Sequence, residues 1–153
     1  MIPTAIGLGL FVSLIFTEAF GLAAGGMVVP GYIALALAEP WRVASTIVAA
    51  IVTFLTVRLM GRFMVLYGRR HLVMVILVGF LYGHLTRVAF QGPGFPEFLS
   101  FEAVGYVIPG LIAYWMERQG ALSTITSMLT AAVLVRLILI VVTGGVPIEI
   151  PAW

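Results

Sequence analysis

Apolar residues run along this chain in four long blocks and two short ones, with polar residues gathered at the seams. The long blocks cover residues 4–22, 43–60, 72–90 and 121–143. Each approaches or exceeds the ~18 apolar residues that mark a bilayer-spanning helix. The short blocks, residues 27–37 and 106–116, each contain a proline-glycine pair: Pro30-Gly31 in "MVVPGYIAL" and Pro109-Gly110 in "YVIPGLIAY". The pattern predicts an all-α polytopic membrane protein of four long helices and two short helices broken at Pro-Gly. It forms a single integral membrane domain over residues 1–153.

The two short blocks are echoes of one another. Residues 26–34 read GMVVPGYIA and residues 105–113 read GYVIPGLIA; "STI" at 45–47 returns at 123–125, and "VRL" at 57–59 returns at 135–137. Glu39 corresponds to Glu117 and Arg58 to Arg136. These matches predict two internal repeats, about 1–71 and 72–153, each holding a broken segment, a charged turn and a long helix with an arginine near its far end. Proline removes a backbone donor, and an orphaned peptide group in hydrocarbon costs several kcal/mol. The Pro-Gly pairs are therefore expected to face protein or a wet cavity. Paired Pro/Gly-interrupted segments at matching positions of two halves are the best sequence-level pointer to a midplane site, where a half-helix N-terminus meets an anion.

Topology divides into two alternatives. If the broken segments span, there are six crossings, the halves are inverted, and Arg58, Arg62, Arg69, Arg70 and Arg118 lie on one side against three arginines on the other. If they are re-entrant, there are four crossings, the halves are parallel, and Arg136 replaces Arg118 in the group of five. The positive-inside rule makes the segment from Arg58 to Arg70 cytoplasmic in either case. The short apolar cores favour re-entry, whereas the prevalence of inverted repeats among transport folds favours six crossings, the preferred reading.

Composition fixes the solvent. Of 153 residues, 62% are hydrophobic and 9% charged, and the mean hydropathy is +1.18. A soluble domain has roughly 25% charged residues. No Lys or Arg precedes Arg42, so the first block is expected to stay as an uncleaved helix. Cysteine is absent, which removes disulfides and thiol catalysis. His71 and His84 lack companions at metal-binding spacing and are expected at an interface or in packing. The formal charge of +2 and the lack of a basic run interleaved with aromatics give no support for nucleic acid.

All eight basic residues are arginine and all six acidic residues glutamate. Arginine presents a planar fork that matches carboxylates and stays charged when partly buried. Arg58 and Arg136, with Pro30, Gly31, Pro109 and Gly110, are the candidate lining of an anion path. Snorkelling to the headgroups is the plainer role for both arginines. The stretch "GRFMVLYGRRH" at 61–71 places Arg62, Arg69 and Arg70 among apolar residues, as a docking surface for a cytoplasmic partner or for anionic lipid. The spacings Gly21-x-x-x-Gly25 and Gly79-x-x-x-Gly83 read as close helix packing.

"GMVVPGYIAL" at 26–35, "FMVLYGRRH" at 63–71 and "VIPGLIAYWMERQG" at 107–120, with Glu18 ahead of them, resemble the small membrane subunit of bacterial poly-γ-glutamate synthase. This is the capsule biosynthesis protein C (CapC/PgsC) family, and the likeness covers nearly the whole chain. The resemblance implies a multi-pass protein of the bacterial cell (inner) membrane. It would work beside a membrane-attached, Mur-ligase-like amide ligase that uses ATP and Mg, and beside a further subunit with an anchored extracellular part. It also implies that this chain has no nucleotide site or catalytic residues of its own. Consistent with that, there is no G-x-x-x-x-G-K-[ST] motif and no lysine at all.

Three functions remain open on the sequence: a subunit that supports the ligase and guides the anionic polymer across the membrane, a stand-alone carrier or channel for a small carboxylate, and a structural anchor for the ligase. A carrier of this size would need a homo-oligomer to enclose its site.

Overall fold

The computed structural model describes residues 2–65, 67–90 and 107–145. Within them the chain is all-helical, with six helices: α1 (Ile2–Phe20), α2 (Val29–Ala36), α3 (Pro40–Met60), α4 (Arg69–Phe90), α5 (Ile108–Gln119) and α6 (Ala121–Val142). Three stretches are long and apolar enough to cross a bilayer: Pro3–Phe20 in α1, Pro40–Met60 (α3) and Ala121–Val142 (α6). Gly105 and Tyr106 of the second echo, and Leu66 of the basic stretch, lie outside the described residues.

Each Pro-Gly pair opens a helix. Pro30 and Pro109 occupy the first turns of α2 and α5, where the first N–H groups have no intrahelical acceptor, so a missing donor costs little. α2 has eight residues, or roughly 12 Å at 1.5 Å per residue, against a hydrocarbon core of about 30 Å. The stretch ahead of it, residues 21–28, is not helical. Gly21, Gly25 and Gly26 there have φ of 65°, 77° and 119°, values an L side chain rarely adopts. Gly21 and Gly25 therefore serve a turning backbone and not the helix face that their spacing suggests.

The same close crossing occurs twice. A Cβ on Gly9 of α1 would lie 2.6 Å from Gly31 Cα, and a Cβ on Gly79 of α4 would lie 2.5 Å from Gly110 Cα. A Cβ on Gly31 would meet Ala5 O at 3.0 Å; one on Gly110 would meet Ile76 Cα at 2.8 Å. Only glycine on both sides of each contact lets the backbones touch. Gly31 meets the first half of α1, while Ser13 further along α1 bonds Gly26 ahead of α2. The two helices are thus antiparallel. α4 and α5 are also antiparallel, with Gly79 on Gly110 and His71 on Glu117.

α2 is held between α1 and α6, and α5 between α4 and α3. The central cluster draws side chains from both the first and the second half of the chain. It includes Val29, Ile33, Val43, Ala50, Ile108, Ile112, Met116, Met128 and Ala132, with Leu37, Ile47, Phe54, Ala121 and Ile125 packed against them. The centre is filled by apolar side chains.

Three buried threonines do not disturb this apolar packing because each bonds back onto the turn that precedes it. Thr46 donates to Arg42 O at 2.7 Å, Thr53 to Ala49 O at 2.7 Å and Thr124 to Gly120 O at 2.8 Å. Such back-bonding satisfies the hydroxyl without a partner helix.

Candidate functional site: the short helices and their arginines

A helix as short as α2 leaves its last four carbonyls exposed to whatever surrounds them. Here each one has a donor. Ile33 O accepts from Leu37 N at 2.8 Å, Leu35 O from Ala38 N at 3.4 Å and Ala36 O from Glu39 N at 2.8 Å. The remaining carbonyl, Ala34 O, accepts from Arg136 Nη1 at 3.2 Å. A guanidinium there also sits at the negative end of the helix dipole. Arg136 is half-buried, and Val135 beside it packs in one cluster with Ala34, Ala5 and Ala131.

Arg58 occupies the matching place on α3 and does something else. Val57 packs in one cluster with Ala113, as Val135 does with Ala34. But α5 continues to Gln119, so Ala113 O lies inside a helix whose following turn supplies its donor. Arg58 is exposed, with its guanidinium carbon 5.8 Å from the centroid of Phe54.

The non-helical lead-in to α2 is secured from three helices. Gln119 of α5 pairs with Ala23 as one amide pairs with another: Ala23 N–H donates to Gln119 Oε1 at 3.0 Å, and Gln119 Nε2 donates back to Ala23 O. Ser127 Oγ of α6 lies 3.2 Å from the same carbonyl, and Ser13 Oγ of α1 lies 3.4 Å from Gly26 O. Ala23 and Ala24 are buried. An unpaired peptide group at that depth would cost several kcal/mol, which explains why polar side chains converge on an otherwise apolar body.

At the end of the molecule where α5 finishes and α4 begins, His71 Nε2 and Glu117 Oε2 are 2.8 Å apart. Arg69 and Arg70, in the first turn of α4, are exposed, as are Arg62, Phe63, Val65 and Tyr67 in the turn before it. Glu39 pairs with Arg42 at 2.6 Å between α2 and α3. His84 stacks on Phe80 with ring centroids 6.2 Å apart. Among the described residues no three of His, Asp and Glu gather as a metal site requires.

Of the residues marked on the sequence, the structure ties Arg136 to the Pro30-Gly31 helix and presents Arg58 outward. It buries Pro30, Gly31, Pro109 and Gly110. Gly79, marked on the sequence for close helix packing together with Gly83, sits at the α4–α5 crossing against Gly110. Gly9, Gln119 and Ser127 carry comparable structural weight without a mark on the sequence; the signal for Gly9 was its echo with Gly79 at a spacing of 70, against 79 for Gly31 and Gly110.

The profile of the family described as Capsule biosynthesis CapC matches residues 8–125. The chain belongs to that family. It is 38% identical over 122 residues to the Capsule biosynthesis protein CapC of Bacillus anthracis, covering 79% of this chain and 81% of the relative. It is 34% identical over 129 residues to the PGA biosynthesis protein CapC of Bacillus subtilis (strain 168), covering 82% and 84%. No solved structure matches it significantly. The CapC match includes both Pro-Gly pairs, Arg58, Arg69, Arg70 and Gln119, while Arg136 lies beyond the matched residues.

Proposed function

We propose that this protein is a non-catalytic membrane subunit of a poly-γ-glutamate synthase and export complex, supporting an ATP-dependent amide ligase and guiding the anionic product across the bilayer. Membership of the CapC family supports the pathway, with PGA in the relative's name read as poly-γ-glutamate. The observation that carries the membrane role is the twice-built crossing, Gly9 on Gly31 and Gly79 on Gly110, each seating a short Pro-Gly helix inside an apolar body. Two such elements in matched positions are how transport folds place half-helices at mid-depth.

On this reading the chain is an inverted duplication of three helices with six crossings. Direction alternates through it: α1 against α2, α4 against α5, and α5 against α6 through the single residue Gly120. The end bearing Arg58, Arg62, Arg69, Arg70 and Arg118 faces the cytoplasm, and the end bearing Arg42, Arg87 and Arg136 faces out. One matched arginine then stands toward each mouth, Arg58 inside and Arg136 outside, with Pro30, Gly31, Pro109 and Gly110 between them. Because apolar side chains fill the centre, the path is completed by the partner subunits or by parting of the two halves. Arg62, Arg69 and Arg70 form the docking surface for the ligase.

The deciding test removes this chain from cells that keep the rest of the machinery. Polymer synthesis stops and returns with the chain, whereas the purified chain in vesicles takes up no free glutamate. Uptake by the chain alone would favour the carrier reading.

A further inference from the structure

The cytoplasmic end of α5 carries a side-chain array that neither the repeat nor the crossing uses. Arg118 lies over two rings, its guanidinium carbon 5.7 Å from the centroid of Tyr114 and 5.8 Å from that of Trp115, within the range of cation–π attraction. Its Nη1 donates to Tyr114 Oη at 3.2 Å. Tyr114 meets Trp115 edge-on at 5.7 Å and leans on His71 at 6.0 Å. His71 in turn is held by Glu117 at 2.8 Å. The chain Glu117–His71–Tyr114–Arg118 thus pins the end of α5 to the start of α4 and fixes an exposed guanidinium in one place.

The geometry points to a landing site for a polycarboxylate chain on this platform, with Arg118 as the residue that grips it. A guanidinium offers five N–H donors, of which Tyr114 engages one. The outward fork suits a carboxylate bidentately. Holding the fork on two rings removes the rotamer freedom that a free arginine would lose on binding. Arg69 and Arg70 directly precede His71 in the first turn of α4, and the chain has no acidic residue between Glu39 and Glu97 to compete for them. The carboxylate of Glu117 is already taken up by His71.

The platform also touches the element a polymer would have to pass. A Cβ on Gly26 would lie 3.5 Å from Trp115 Nε1, and Gln119, the residue after Arg118, clasps Ala23. A chain captured at Arg118 is delivered to the non-helical lead-in of α2. This inference rests on the proposed function, in that it takes the ligand to be the anionic polymer.

The test uses the full chain carrying Trp41→Phe and Trp153→Phe, so that Trp115 is the reporter, in nanodiscs of zwitterionic lipid. Titration with γ-linked oligoglutamate gives a saturable, salt-weakened change in Trp115 fluorescence. Arg118→Gln weakens binding about tenfold or more, the loss expected for a charge-assisted hydrogen-bonding partner. Arg118→Lys falls between, because it keeps charge without the fork. Affinity unchanged by Arg118→Gln overturns the platform while leaving the subunit role standing. A response only to nanodiscs containing phosphatidylglycerol overturns it in favour of a lipid contact. If cells need the chain for synthesis but the chain shows no response to oligoglutamate, polymer capture by this site is overturned and the anchor role remains.

Discussion

Arg136 closes the C-terminus of the first Pro-Gly helix by donating to Ala34 O at 3.2 Å, while its counterpart Arg58 turns to the surface. The difference follows from helix length. α2 stops at Ala36 and leaves a carbonyl to be met; α5 runs on to Gln119 and meets its own.

That asymmetry gives opposite expectations for two substitutions that look equivalent in the sequence. Arg136→Leu removes a charged donor from the carbonyl of buried Ala34, which costs roughly 1.5–3 kcal/mol. Thermal unfolding of the detergent-solubilised chain shifts down accordingly. Arg58→Leu shifts it little. Equal shifts would contradict the cap.

The glycine crossings are expected to be unforgiving at four positions and tolerant at a fifth. Gly9→Ala or Gly79→Ala forces backbones apart at contacts of 2.6 and 2.5 Å, a cost at or above the ~1–3 kcal/mol typical of overpacking. Gly31→Ala and Gly110→Ala behave similarly. Gly7→Ala, where a Cβ has nothing within 4 Å, leaves folded yield unchanged. Similar yields from Gly7→Ala and Gly9→Ala would remove the crossing from the account.

Gln119 is expected to control order in the lead-in. Gln119→Leu strips the acceptor from Ala23 N–H and leaves Ala23 O with Ser127 alone, and Gln119→Glu keeps the acceptor for Ala23 N–H but loses the amide donor to Ala23 O. Hydrogen exchange over residues 21–27 rises most for Leu and less for Glu. No change in either variant would show that the lead-in is held by packing alone.

Much of this architecture was legible in the chain because proline and glycine punctuate it. Pro30-Gly31 and Pro109-Gly110 announced two short helices, and "STI" and "VRL" recur on the long helices α3 and α6. What escaped was non-local or depended on the length of an element. The amide pair of Gln119 and Ala23 joins residues 96 apart and has no local signature. The divergence of Arg58 and Arg136 depends on where α2 ends, and a matched motif does not state that. The spacing of Gly21 and Gly25 resembled a helix-packing face, yet a positive φ at both places them in a turning segment, because the chain needs irregular backbone ahead of a half-length helix.

Docking of the ligase is expected to depend on the first turn of α4. Replacing Arg69 and Arg70 together with Gln lowers recovery of the ligase with this chain and leaves membrane insertion intact, since both side chains are exposed. Undiminished recovery would assign these arginines to lipid.

The central claim is that fixed positive charge in this subunit guides a polycarboxylate through the membrane. Poly-γ-glutamate made per cell, measured at matched levels of assembled complex, tests it most directly in the double variant Arg58→Gln, Arg136→Gln. The account predicts a severe loss, with the corresponding Arg→Lys pair retaining part of the output because charge survives without the bidentate fork. Full output from the double Gln variant would contradict a charged path and leave the protein as an anchor for the ligase.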